Sequence, residues 1–184
     1  MRAFVALEIS DNDVLDSIAA FQRELMATRA DLKTVERENI HFTVKFLGEI
    51  TQSQAREADE RLRGLHLGRA VVEVKGVGAF PNIGRPNVVW AGVPVAHEER
   101  VRPIAQGAIA ALEGIGERDR RPFTAHATLA RVRSPRGAGE LTTVLRSSSD
   151  RRFGEVRFLE LKLKSSVLGP QGPTYTDVGA YPLV

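Results

Sequence analysis

Histidine is followed two positions later by threonine at two places in this chain: His41-Phe42-Thr43 within HFTVKFLGEI and His126-Ala127-Thr128 within TAHATLAR. There are only four histidines, and ten threonines among 184 residues. A given histidine then meets threonine at that offset roughly 5% of the time, so two or more hits among four is roughly a 2% accident. On a strand, residues i and i+2 share a face. His41 and Thr43 therefore stand together with Lys45, opposite Phe42, Val44 and Phe46, and His126 and Thr128 stand opposite Ala127 and Leu129. The apolar sets belong to a core, and the polar sets face a groove or solvent.

Two such strands brought side by side would join two imidazoles and two hydroxyls. That group suits phosphodiester chemistry. An imidazole titrates near neutral pH, so one can accept a proton while the other donates one. The hydroxyls can hold non-bridging phosphate oxygens as charge develops. The chemistry needs no metal and no cofactor, and no third residue stands out as a zinc ligand beside the two histidines. His66 and His97, at the ends of predicted helices, read as surface residues.

The elements that must position these residues follow from pattern. RAFVALE (2–8) reads as a strand. Ser10 or Asp11 caps a helix carrying Val14, Ile18, Phe21 and Leu25. Short strands at 32–36 and 39–48 follow. Thr51 and Gln54 form a capping box for a helix that buries Ala55, Ala58, Leu62 and Leu65. Strands at 70–80 and 87–93 flank the turn PNIGRP, and the first of them is open to a bulge at its glycines. A third helix covers 96–113, a strand 123–132 and a short helix 138–147. Segments 156–168 and 174–183 read as a hairpin across LGPQGP. The motif strands lie close to half the chain apart, and each runs into a turn and a helix. The expected class is α+β, with helices outside mixed or antiparallel sheets.

Composition narrows the setting. The chain has 42% hydrophobic and 27% charged residues, no cysteine and a net charge of +3. Disulfides and thiolate chemistry are excluded. No segment has the apolar length of a membrane span, and MRAFVALEIS turns polar too early for a secretory signal. A cytoplasmic protein is expected. Arg118, Arg120, Arg121, Arg131, Arg133 and Arg136 crowd around the second motif, which suits a polyanionic partner. Phe4, Trp90 and Phe123 are candidates to stack a nucleobase, with core packing the favoured reading.

With RAFVALEI at the N-terminus, HFTVKFLG and HATLAR resemble the 2H phosphoesterase superfamily, and within it the LigT-like RNA 2′,3′-cyclic phosphodiesterases, historically called 2′-5′ RNA ligases. The likeness covers essentially the whole chain. It implies one bilobal domain over residues 1–184, two pseudo-symmetric βαβ-type lobes with mostly antiparallel sheets around a central cleft. It also implies metal-independent opening of a terminal 2′,3′-cyclic phosphate on RNA, or on a cyclic nucleotide, to a 2′-phosphomonoester. In the family's usual assignment His41 is the proton donor and His126 the acceptor, while Thr43, Thr128 and Arg131 bind the phosphate or the RNA. Strict alternation puts Arg131 on the face away from His126, so it reaches the cleft only if the strand ends or bulges there. Lys45 reads as a solvated lysine.

Two rivals use the same residues. A binding module would hold RNA without turnover, but it has no need of two proton carriers. Ligation of 2′-5′ ends reverses the same steps, and ~55 M water favours hydrolysis unless the cleft excludes it. A monomer is expected.

Overall fold

The computed structural model describes residues 1–117, 122–170 and 172–184. In chain order its elements are β1 (Arg2–Glu8), α1 (Asn12–Ala27), β2 (Leu32–Thr34), β3 (His41–Glu49), α2 (Gln52–Arg63), β4 (Ala70–Lys75), β5 (Val77–Asn82), β6 (Arg85–Gly92), α3 (Val95–Ala111), β7 (His126–Val132), α4 (Ala138–Ser147), β8 (Arg152–Phe158), β9 (Glu160–Gly169) and β10 (Gly172–Pro182). The helix starts follow their capping chemistry. The Asp11 carboxylate accepts from the Val14 amide at 3.1 Å. The Thr51 hydroxyl accepts from the Gln54 amide at 3.2 Å, and the Gln54 side chain accepts from the Thr51 amide at 3.0 Å. Each satisfies amides that an open helix end would leave bare.

The main sheet runs β10-β9-β1-β3-β7-β6-β5, with β2 also on β7, and a second sheet pairs β4 with β8. Every recorded pairing is antiparallel. The order is symmetric about the β3–β7 junction. The run β1-α1-β3-α2-β4-β5 repeats as β6-α3-β7-α4-β8-β9, and the β4–β8 pair also straddles the axis. The two lobes are thus pseudo-symmetric, as the paired motifs predict.

The segments expected as single strands at 70–80 and 156–168 are each two strands in different sheets. The first divides at Gly76, whose φ of +92° suits glycine. There the amide of Gly76 donates to the Arg151 carbonyl at 2.8 Å, and its own carbonyl accepts from Gly92 at 3.0 Å. The second divides at Leu159, which is 52% exposed between two buried residues, Phe158 and Leu161. The buried set shifts phase by one residue at each break, from Ala70, Val72 and Val74 to Val77 and Ala79, and from Val156 and Phe158 to Leu161 and Leu163. A bulge within a single strand gives the same shift, so the change of sheet was not readable.

The helices cross between halves. α1 packs on β7, β8 and α4, and α3 packs on β3, β4 and α2. On one side Phe21 meets Phe153 edge-on at 5.8 Å, and Gln22 donates to the Val35 and Leu129 carbonyls at 2.8 and 2.9 Å. On the other, His97 Nδ1 accepts from the Glu73 amide at 2.8 Å, and Arg100 donates to the Val71 carbonyl at 3.0 Å. His97 is therefore a structural tie, while His66 is exposed. The core is continuous across both lobes. No described helix is long and apolar enough to cross a membrane.

Candidate active site

Strands β3 and β7 meet at one register position, Phe42 opposite Ala127. Both residues are fully buried. In an antiparallel pair, that single register puts His41 across from Thr128 and Thr43 across from His126, all four on the face opposite the core. Directly opposed residues have Cβ atoms ~5 Å apart. The sequence motifs thus form a square around the pseudo-two-fold axis.

Each ring is oriented in the same way. His41 Nδ1 lies 2.7 Å from the Asn39 carbonyl, and His126 Nδ1 lies 2.8 Å from the Thr124 carbonyl. A carbonyl only accepts, so each Nδ1 carries the hydrogen and each Nε2 is left for chemistry. His41 Nε2 is 3.1 Å from the Thr43 hydroxyl, which donates to it while the imidazole is neutral.

Both strands carry the same irregularity three residues after the histidine. β1 pairs Ala6 with Thr43 but Val5 with Lys45, which leaves Val44 as an extra residue. β6 pairs Trp90 with Thr128 but Val89 with Ala130, which leaves Leu129 as an extra residue. A bulge of this kind resets alternation. Leu129 and Ala130 are accordingly both buried and Arg131 turns out onto the histidine face. The condition for Arg131 to reach the cleft is therefore met. On β3 the same bulge corrects the expected pattern: Phe42 and Val44 are buried, but Phe46 turns out onto the His41 face, 43% exposed. Lys45 is half-buried beside the bulge. Arg118, Arg120 and Arg121 lie outside the described residues.

Aromatic rings hold both imidazoles. Phe4 stacks on His41 at 5.1 Å and 30°, and Tyr175 meets His41 edge-on at 5.6 Å. Phe80 and Trp90 meet His126 edge-on at 5.0 and 6.2 Å. Trp90 lies flat over Gly78, where a β-carbon would overlap the indole. Phe123 packs half-buried on the core, as the core reading has it, whereas Phe4 is buried outside the core cluster, against His41, Phe46 and Tyr175 on the site face. Tyr175 and Phe80 were not legible as site residues, because each sits on a hairpin whose place beside the motif strands is set only by the fold.

The two flanks differ in charge. Across from His41 in register stands Glu8; across from His126 stands Gly92. Glu8 belongs to a ladder with Lys162, Lys164 and Asp177: Lys162 reaches Glu8 at 2.6 Å and Asp177 at 2.8 Å, and Lys164 reaches Asp177 at 2.6 Å and Glu8. Burial pushes the Glu8 carboxyl up, but the two lysines outweigh it and hold it below its ordinary value. Burial pulls the His41 imidazole down to about 4; the Asn39 carbonyl and Glu8 oppose this, and Lys164 and His126 add to it. Burial also lowers His126, against the Thr124 carbonyl. No group of three or more His, Cys, Asp or Glu residues able to hold a metal ion occurs among the described residues.

A family model described as LigT like phosphoesterase matches residues 8–90. A protein of Archaeoglobus fulgidus named RNA 2′,3′-cyclic phosphodiesterase is 35% identical over 181 residues, covering 98% of this chain and 99% of its own. This chain belongs to the LigT-like phosphoesterase family. A relative of the same name from Methanothermobacter thermautotrophicus is 32% identical and covers 100% of this chain and 99% of its own. Among solved structures, TT0787 of Thermus thermophilus superposes with a TM-score of 0.77 at 28% identity, covering 100% of this chain and 98% of its own. Escherichia coli LigT in apo form shares the fold, with a TM-score of 0.75 at 20% identity over 99% of this chain and 96% of its own. The α+β, bilobal, largely antiparallel architecture of these phosphoesterases is the architecture described above.

Proposed function

We propose that this LigT-like chain hydrolyses the terminal 2′,3′-cyclic phosphate of RNA to a 2′-phosphomonoester by paired-histidine acid–base catalysis. The observation that carries the reading is the single β3–β7 register, which puts His41, Thr43, His126 and Thr128 on one face. Full-length relatives named for this activity support it. His126 Nε2 takes a proton from water, and the water oxygen bonds to phosphorus. The P–O3′ bond breaks, and His41 Nε2–H protonates O3′. The products are a 2′-phosphate and a free 3′-hydroxyl. Thr43 and Thr128 donate to the non-bridging oxygens; Thr43 gives up its bond to His41 when the phosphate enters. Both histidines come from one chain, so a monomer carries the complete site, and the two lobes act as one unit over residues 1–184.

Incubation with an RNA carrying a 2′,3′-cyclic end, in excess EDTA, is expected to give the 2′-phosphate. A 3′-phosphate product contradicts the stated bond cleavage, joined strands favour ligation, and loss of activity on chelation contradicts a metal-free route.

The pH dependence follows from burial. A donor–acceptor pair works only while one imidazole is charged and the other neutral. Both lie below the ordinary value of 6.5, so the charged partner is lost as pH rises through the lowered values. The optimum of kcat/KM is therefore expected on the acid side of 6.5, whichever ring donates. A bound phosphate anion stabilises imidazolium, so the kcat profile shifts to higher pH than that of kcat/KM. Profiles of both parameters check this, and a kcat/KM optimum in the alkaline range contradicts it.

A further inference from the structure

The site is symmetric in its histidines and asymmetric in its charge. On the His126 flank the ring neighbours are Phe80 and Trp90. On the His41 flank the β9–β10 hairpin curls over the groove. Its Tyr175 packs on both Phe4, at 4.9 Å, and His41. Near the hairpin tip, a β-carbon built on Gly172 would lie 3.1 Å from the Lys33 ammonium. Lys33 is also the cross-strand partner of Arg131 on β2 and β7.

Cations also stand in the rows beside Tyr175. Arg2 and Tyr175 are both register partners of Ser166 in β9, so the three share one row and one face. Arg131 stands exposed on β7 beside Lys33, whose ammonium reaches the same hairpin at Gly172. Burial raises the Tyr175 hydroxyl above its ordinary value, and Arg131, Arg2 and Lys164 act against that rise. Lys164 is already neutralised by Glu8 and Asp177. Arg2 and Arg131 make no ion pair or hydrogen bond with another described side chain. In register Arg2 stands opposite Glu49, but that carboxylate pairs instead with the N-terminal ammonium at 3.4 Å. Two forked donors and the hydroxyl of a half-buried tyrosine fit a phosphate oxyanion. They stand beyond the threonine grip, since Arg131 lies up to ~10 Å along β7 from Thr128.

We infer that Arg2, Arg131 and Tyr175 form a second anion subsite, which takes the phosphate on the 5′ side of the terminal nucleotide. This rests on the cyclic-phosphodiesterase reading and deepens it: the preferred substrate is an RNA chain rather than a cyclic mononucleoside. It also orients the reaction. The departing O3′ belongs to the terminal ribose, and a chain held on the His41 flank brings that ribose to His41. The donor is then the histidine beside the cations, and water enters from the His126 side.

The test compares a dinucleotide ending in a 2′,3′-cyclic phosphate with a 2′,3′-cyclic mononucleoside bearing a free 5′-hydroxyl. The wild type is expected to show the higher kcat/KM on the dinucleotide. Arg2→Gln is expected to shrink that preference by about tenfold and to flatten its salt dependence, with Arg2→Lys restoring part of it. Tyr175→Phe shrinks the preference less. Equal falls on both substrates, or no fall on either, overturn the subsite while leaving the active-site reading intact. A wild type inactive on both substrates overturns the reading beneath it.

Discussion

Replacing either His41 or His126 with alanine is expected to lower kcat/KM on a 2′,3′-cyclic end by about 10²–10⁴, with the fold intact. Both rings are half-buried on the groove face and neither contributes to the central core, so thermal unfolding should move little. The double variant is expected to fall hardly further than the worse single one. Donor and acceptor work in one concerted step, and losing either already removes the proton relay. His126→Ala also opens the contact with Phe80, so a circular-dichroism melt must accompany the kinetics. Undiminished turnover in a folded single variant would remove paired-histidine catalysis from this protein.

Phe42→Ala is expected to have the largest effect on stability. Phe42 is fully buried, its ring lies 5.4 Å from that of Phe158, and it is the residue that meets Ala127 where the lobes join. Truncating a buried phenylalanine costs about 3–5 kcal/mol, a large part of the ~5–15 kcal/mol that holds a domain folded. The urea midpoint should drop accordingly. Activity should fall too, even at low temperature, because Phe42 fixes the spacing between His41 and Thr43 and the register that faces them to β7. Phe42→Leu keeps most of the volume and should retain most of both. A loss below ~1 kcal/mol for the alanine variant would contradict the junction as described.

How much of this was legible in the sequence depended on how local the cause was. The helices over Asn12–Ala27 and Gln52–Arg63 announced themselves through caps and spacing, signals contained within a few residues. His41, Thr43, His126 and Thr128 were readable because a two-residue period fixes which side chains share a face. The breaks at Gly76 and Leu159 leave only a one-residue shift in the buried alternation, which a bulge within one strand also produces, so they were not readable as changes of sheet. Arg131 and Phe46 depended on a bulge whose existence is decided by the neighbouring strand. Tyr175 and the Glu8–Lys164 ladder come together only when the C-terminal hairpin lies against β1, a contact between residues far apart in the chain.

The exchange of α1 and α3 between the halves bears on how this fold tolerates being cut. Severing the chain at the Ile83–Gly84 turn would give two fragments of like topology, each bearing one histidine–threonine pair of the site. Each would also present a helix whose apolar stripe is shaped for strands of the other. Neither fragment can cover that stripe by itself. The two are instead built for complementation, and the proton donor and proton acceptor would return to one groove only in the reassembled pair.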